Sequence, residues 1–195
     1  MIRMEEMKNG VKAFYAETQA DWRQWLAENH EKEVSVWLII YKKDASKGSL
    51  PHANAVDEAL CYGWIDSLTV KRDEESRYQF FSKRKPKSNW SAINKNKALH
   101  MIAQGLMSPA GLQTIEIAKV NGMWDALNDV ENLIEPDDLK KEFESNTPAQ
   151  THWEKFPRSS KKAILKWISE AKRAETRATR ISETVRLAGA NVRVK

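Results

Sequence analysis

The sequence predicts an α+β protein: a small, mostly antiparallel sheet of about three strands with helices, followed by an all-helical C-terminal region. Three observations carry that expectation. Residues 34–42 are rich in β-branched and aromatic side chains and too few for a helix buried on all sides, the pattern of a central strand. Residues 65–71 and 77–82 alternate apolar with polar positions on either side of Asp73-Glu74-Glu75-Ser76, a polar link of hairpin length. From Trp90 onward the start and stop signals are those of helices alone.

Taken in order, the chain first offers Thr18-Gln19-Ala20-Asp21. This is a capping box in which the Thr hydroxyl meets the N3 amide and the Asp lies near the positive end of the helix. Trp22, Trp25 and Leu26 then share one helical face, and the helix is expected to end near Asn29. After the strand at 34–42, Gly48 and Ser49 mark a loop and Pro51 opens a helix whose inward face carries Val56, Ala59 and Leu60. Gly63 is placed to end it with a positive φ.

Ser88 or Asn89 is expected to cap a helix running to about Gln104, with Gly105 as its stop; Ser108-Pro109 opens the next and Gly122 closes it. Pro136 opens a short helix with Leu139 and Phe143 four apart, and Thr147-Pro148 another with Trp153 and Phe156. Ser159 or Ser160 caps the last long region, where Ile164, Leu165 and Ile168 share a face and a break near Thr176 precedes Ile181 and Val185. Residues after Ala188 read as a frayed tail. The division of the chain is read as an α+β domain over residues 1–130 and a helical region packed on it over 131–195.

Composition narrows the function classes. Apolar residues at 41% and eight Trp argue for a folded core and against disorder. The single cysteine, Cys61, leaves no intrachain disulfide framework, which fits a reducing compartment. The first residues lack the apolar core of a signal peptide, and no run approaches the roughly 18 apolar residues of a membrane span. A cytoplasmic protein is therefore expected. Charge is zoned along the chain: Lys83, Arg84, Lys85, Lys87, Lys95 and Lys97 have no acid between them, whereas residues 125–144 carry eight acids against Lys140 and Lys141.

Residues 60–90 hold the combination that a binding site needs, with a Gly, an Asp, two Trp and a run of cations. Pro86 disfavours the helical conformation at Lys85, so the cations enter as an extended loop and a following Ser or Asn opens a helix. Free amides at that helix start, its dipole and the adjacent cations attract an anion, and Trp64 or Trp90 can cover a planar group. The competing reading is a solvated basic turn in which Arg84 pairs with Asp66 and Trp90 belongs to the core. Cys61 lies at the carboxyl end of its helix, where the dipole does not favour a thiolate, and reads as a buried, inert thiol.

No phosphate-cradling glycine loop and no Gly-x-Ser-x-Gly elbow occurs, and the four histidines show no paired spacing for a metal. Arg173, Arg177 and Arg180 fall at i, i+4 and i+7 of a helix. That stripe suits an acidic partner, a nucleic-acid backbone or anionic lipid; its plainer use is to neutralise the acidic segment of the same chain.

Two strings are distinctive: Glu58-Ala59-Leu60-Cys61-Tyr62-Gly63-Trp64-Ile65-Asp66 and Arg84-Lys85-Pro86-Lys87-Ser88-Asn89-Trp90-Ser91. With Gly105-Leu106-Met107, Ala110-Gly111, Ala118-Lys119, Gly122, Trp124, Ile168, Ala171-Lys172, Thr176-Arg177 and Arg180-Ile181, the chain from about Val34 to Leu187 resembles the bacterial YdeI/OmpD-associated family. The resemblance implies a small α+β domain followed by helices, and a link to bacteriocin protection or tolerance of cationic antimicrobial peptides. It supplies no catalytic residues. One departure is Lys85, where the family's pattern commonly has a second Arg; Lys keeps the charge but loses bidentate geometry.

The expected function is a non-enzymatic binding protein whose site is formed by Trp64, Asp66, Arg84, Lys85, Lys87, Ser88 and Trp90. It would take an anionic small molecule or an acidic protein surface, with no cofactor, no metal and no membrane span. Two alternatives stay open: sequence-independent nucleic-acid binding through the basic zones, and an enzyme using Asp66 with Cys61 or Tyr62.

Overall fold

The computed structural model describes residues 6–45 and 47–193; the sequence readings that fall on residues 1–5 and on the last two residues of the tail lie outside that range. The chain divides into two compact units, Met1–Trp124 and Asp125–Lys195.

The first unit is built on a sheet of order β1-β2-β3-β5-β4, with β1 Met7–Lys8, β2 Val11–Tyr15, β3 Ser35–Tyr41, β4 Trp64–Lys71 and β5 Ser76–Lys83. Asn9 and Gly10 join β1 to β2 with φ of 51° and 78°, the positive values that a two-residue hairpin turn needs. Helix α1, Gln19–Asn29, then carries the chain back so that β2 and β3 pair in parallel. The remaining pairs, β3 with β5 and β5 with β4, are antiparallel.

The sheet is therefore five-stranded and mixed, where the sequence pattern led us to about three mostly antiparallel strands. The reason is physical. A two-residue strand has no periodicity to read, and parallel pairing across a helix leaves no local signal. The hairpin itself was signalled by Asn9-Gly10.

Strand β3 reads as an unbroken apolar run because both its faces are covered. Val36, Leu38 and Ile40 join Trp22 and Leu26 of α1, Ala55, Val56, Ala59 and Leu60 of α2 (His52–Cys61), Ala98 of α3 (Ala92–Ala103) and Ile115 of α4 (Pro109–Val120) in the main core. Trp37 and Ile39 point the other way and pack with Tyr78. The capping box at Thr18 and Asp21 forms as expected, with both reciprocal hydrogen bonds present.

Helices α2 and α4 meet end to start, and that contact explains much of the first distinctive string. A Cβ at Gly111 would stand 2.3 Å from the Cys61 carbonyl oxygen, and one at Gly63, where φ is +72°, would stand 2.7 Å from the Thr114 methyl group. The Ser108 amide and hydroxyl both donate to the Cys61 carbonyl, at 3.0 and 2.6 Å. Glu58 is 2% exposed and accepts from Gln19 Nε2 and Arg23 Nη1, both at 2.6 Å. Arg23 Nη2 donates to the Leu106 carbonyl at 2.7 Å. One buried carboxylate thus ties α1, α2 and the segment leading to α4.

In the second unit, α5 (Asn128–Glu131), α6 (Asp137–Glu144), α7 (Thr147–Glu154), α8 (Arg158–Ser169) and α9 (Ala174–Gly189) enclose their own core around Leu139, Phe143, Trp153, Ile168 and Val185. The break between the last two helices falls at residues 170–173, ahead of the expected position at Thr176. The arginine stripe is used inside this unit. Arg177 holds Asp138 through two hydrogen bonds of 2.6 and 2.9 Å, and Arg180 donates to the Trp167 carbonyl while lying 5.0 Å from that ring's centre. Among the described residues no helix is long and apolar enough to cross a membrane.

Candidate functional site

The site grows from the end of β5. Pairing of Trp64 with Lys83 fixes where that strand stops, and the Arg84 amide then donates to the Gly63 carbonyl at 2.9 Å. Beyond it the chain turns back on itself through Ser88 N–H to the Lys85 carbonyl, 3.0 Å. Two bonds pin the loop to the end of α4: Asn121 Nδ2 donates to the Pro86 carbonyl at 2.8 Å, and the Trp90 amide to the Met123 carbonyl at 3.3 Å.

Beneath this exposed loop lies the Arg84 side chain, only 9% exposed. Its guanidinium carbon sits 3.8 Å from the centre of the Trp90 ring, a close cation–π stack. Nη2 donates to the Asn89 carbonyl at 2.5 Å. Nε and Nη1 are buried and have no partner, and with the Ser88 hydroxyl they make up the unpartnered buried side-chain nitrogen and oxygen atoms among the described residues. Burial disfavours the charged form and pushes the Arg84 pKa down to about 10, against the opposing pull of the Asp66 charge. A cavity of about 20 Å³ adjoins the guanidinium, lined by Arg84, Lys85, Pro86 and Trp90 and by Thr114, Ile117 and Ala118 of α4.

Of the residues expected to form a site, Arg84, Lys85 and Trp90 line this cavity, while Ser88 belongs to the turn of the covering loop without lining it, and Lys85 and Lys87 are exposed there. Trp64 does not join them. It is 1% exposed within the main core, edge-on to Trp25 at 5.8 Å, so it cannot cover a ligand. Trp90 is equally buried, and it covers the arginine itself, with Trp124 4.9 Å away. Asp66 also stands apart: its Oδ2 is 3.0 Å from His52 Nε2, and no ion pair to Arg84 forms among the described residues.

Helix α3 is capped by Ser91, whose hydroxyl accepts from the Asn94 amide at 3.3 Å, so the helix start lies beyond Ser88 and Asn89. The anion-attracting feature is thus the buried guanidinium, with no contribution from free helix amides at those two residues. Cys61 is buried, and burial pushes its thiol pKa up to about 11, which leaves it protonated and a poor nucleophile. Among the described residues no group of three or more His, Cys, Asp or Glu side chains is placed to hold a metal ion.

Sequence reasoning did not find the α4 wall of the cavity, Thr114, Ile117 and Ala118, nor the Asn121 pin. Nothing local in the sequence links residues 30 apart. Asn121 before Gly122 was visible only as a helix end.

Residues 14–114 match the family model of a domain of unknown function (DUF8412), just over half of the chain. Residues 132–191 match the model described as Bacteriocin-protection, YdeI or OmpD-Associated. The chain belongs to the DUF8412 domain family, and over residues 132–191 it is similar to the YdeI/OmpD-associated proteins. Its DUF8412 region holds both distinctive strings, and with them the whole of the Arg84 loop and the α4 helix start. The YdeI/OmpD-associated match lies wholly within the helical unit. No curated protein and no solved structure matches the chain.

Proposed function

We propose that this chain acts, like the proteins its residues 132–191 resemble, in bacteriocin protection, as a cytoplasmic binding protein whose 84–90 loop receives an anionic group from a small molecule or an acidic protein surface. One observation carries the reading: a nine-tenths buried guanidinium leaves two of its three nitrogens without a protein partner. Buried polar groups in folded proteins are overwhelmingly hydrogen-bonded, and an unpaired buried charge is costly. An anion at this position satisfies the nitrogens and offsets the charge in a single step. Exposed Lys85 and Lys87 above it draw anions toward the loop.

The engagement of Arg177 and Arg180 inside the second unit takes those two cations out of the surface that a nucleic-acid backbone would need. Titration of the purified protein with small anions, acidic peptides and nucleic acids, followed by tryptophan fluorescence and thermal shift, tests the proposal. A saturable anion response in the wild type that is lost in Arg84→Met supports it. A response confined to nucleic acid, falling by about 0.9 log units in affinity per log unit of salt for each duplex phosphate neutralised, replaces it with the nucleic-acid reading.

A further inference from the structure

Resting on that reading, we infer that the group received by the Arg84 loop is a single carboxylate, presented by an acidic peptide or protein surface, and that it is preferred over phosphate. The first argument is size. The cavity beside the guanidinium measures about 20 Å³, room for one water-sized atom. One carboxylate oxygen enters while the second stays at the mouth. A tetrahedral phosphate buries more than one oxygen against Arg84 only if the loop leaves its anchors on Asn121 and Met123.

The second argument is the supply of donors. Trp90 occupies one face of the guanidinium, and the unpartnered Nε and Nη1 direct their N–H bonds in its plane, where a single carboxylate oxygen can accept from either. The rest of the lining gives little. The Thr114 hydroxyl already donates to the Gly111 carbonyl at 2.8 Å, Trp90 presents its ring to the guanidinium, and Pro86, Ile117 and Ala118 have apolar side chains. A phosphate carries three strong acceptor oxygens and close to two charges. Few donors and apolar walls make a doubly charged group expensive to hold, since the cost of burying an ion grows steeply with its charge.

The third argument concerns the rim. Lys85 lines the cavity and is exposed, with Lys87 exposed two residues on. A carboxylate on a peptide can set its outer oxygen against Lys85 while neighbouring acids of the same peptide meet Lys87. A free small anion gains nothing from the second lysine.

The test uses the full chain in a zwitterionic buffer free of phosphate and carboxylate, held at constant ionic strength. Acetate, a capped glutamate-rich peptide, chloride, inorganic phosphate and a single-stranded oligonucleotide are titrated separately, with tryptophan fluorescence and melting temperature as readouts. Acetate and the peptide are expected to bind saturably, and the peptide about tenfold more tightly than phosphate. Binding should be lost in Arg84→Gln. Ile117→Trp, which fills the cavity and leaves Arg84 in place, should lose it too, and this variant decides the matter if Arg84→Gln fails to fold. Phosphate or oligonucleotide binding as tightly as the peptide through Arg84 overturns the carboxylate assignment and leaves the anion-binding reading standing, as does a response to chloride alone. Silence toward every anion overturns both.

Discussion

Glu58 and Arg84 are the charged side chains buried among the described residues, at 2% and 9% exposure, and the fold treats them in opposite ways. Around Glu58 it gathers Gln19 and Arg23, each at 2.6 Å, so the carboxylate becomes a joint between helices. Around Arg84 it supplies one carbonyl and one aromatic ring and leaves two nitrogens open. A buried charge with its partners in place is architecture. One left without them is capacity for something else, and that contrast separates the two distinctive strings.

The comparison can be broken most sharply at the joint itself. Gly111→Ala puts a Cβ within 2.3 Å of a backbone oxygen at the end of α2, where neither atom can turn aside. A loss of about 3 kcal/mol or more is expected from such overpacking, read as a lower urea midpoint; an unchanged midpoint would mean that α2 and α4 can separate freely. Glu58→Gln comes next. It leaves Arg23 facing a neutral amide, at a cost of about 2–3 kcal/mol, below the range for fully buried pairs because the Arg23 side chain is 33% exposed. Arg84→Met should behave differently from both. It removes an unpaired buried charge together with its desolvation penalty, so stability should stay within about 1 kcal/mol of the wild type or rise, while anion binding disappears. A Glu58-sized loss at Arg84 would show that its open nitrogens are already answered and would erase the contrast.

Much of this molecule was legible because its signals are local. The Thr18–Asp21 capping box, the β3 run and the alternation of β4 and β5 each depend on neighbours a few residues apart, and each forms within a residue or two of where it was read. Of the missed strands, β1 is too short to show a periodicity and β2 pairs with β3 in parallel across a helix, so only the Asn9-Gly10 turn between them was there to be read. At the site, the basic string was found because charge and Pro86 are visible in any sequence. Which of its residues is buried was not visible, since that is decided by Trp90 and by α4 some thirty positions away. Trp64 and Trp90 look alike as residues; only the fold distinguishes a core tryptophan from one that backs a cation.

Alkaline pH gives the subtlest way to sharpen the comparison. Burial lowers the Arg84 pKa to about 10, so on raising the pH the folded protein releases this proton before the unfolded chain does. Below pH 10 both states carry the charge, and the folded state bears the full penalty of burying it. As pH climbs through 10 the unfolded chain holds more protons than the folded one, and this group's contribution to stability rises. Cys61, pushed up to about 11, acts in the other sense: the folded protein keeps its thiol proton longer, and stability falls as pH passes above the ordinary thiol range. Comparing wild type with Arg84→Met cancels the Cys61 contribution, because both proteins contain it. The difference in melting temperature should therefore move in favour of the wild type between pH 9 and 11, and carboxylate binding to the wild type should weaken over the same interval as the guanidinium loses its charge. A flat difference, with binding undiminished at pH 11, would place the Arg84 pKa back in the ordinary range and identify it as a solvated or ion-paired arginine.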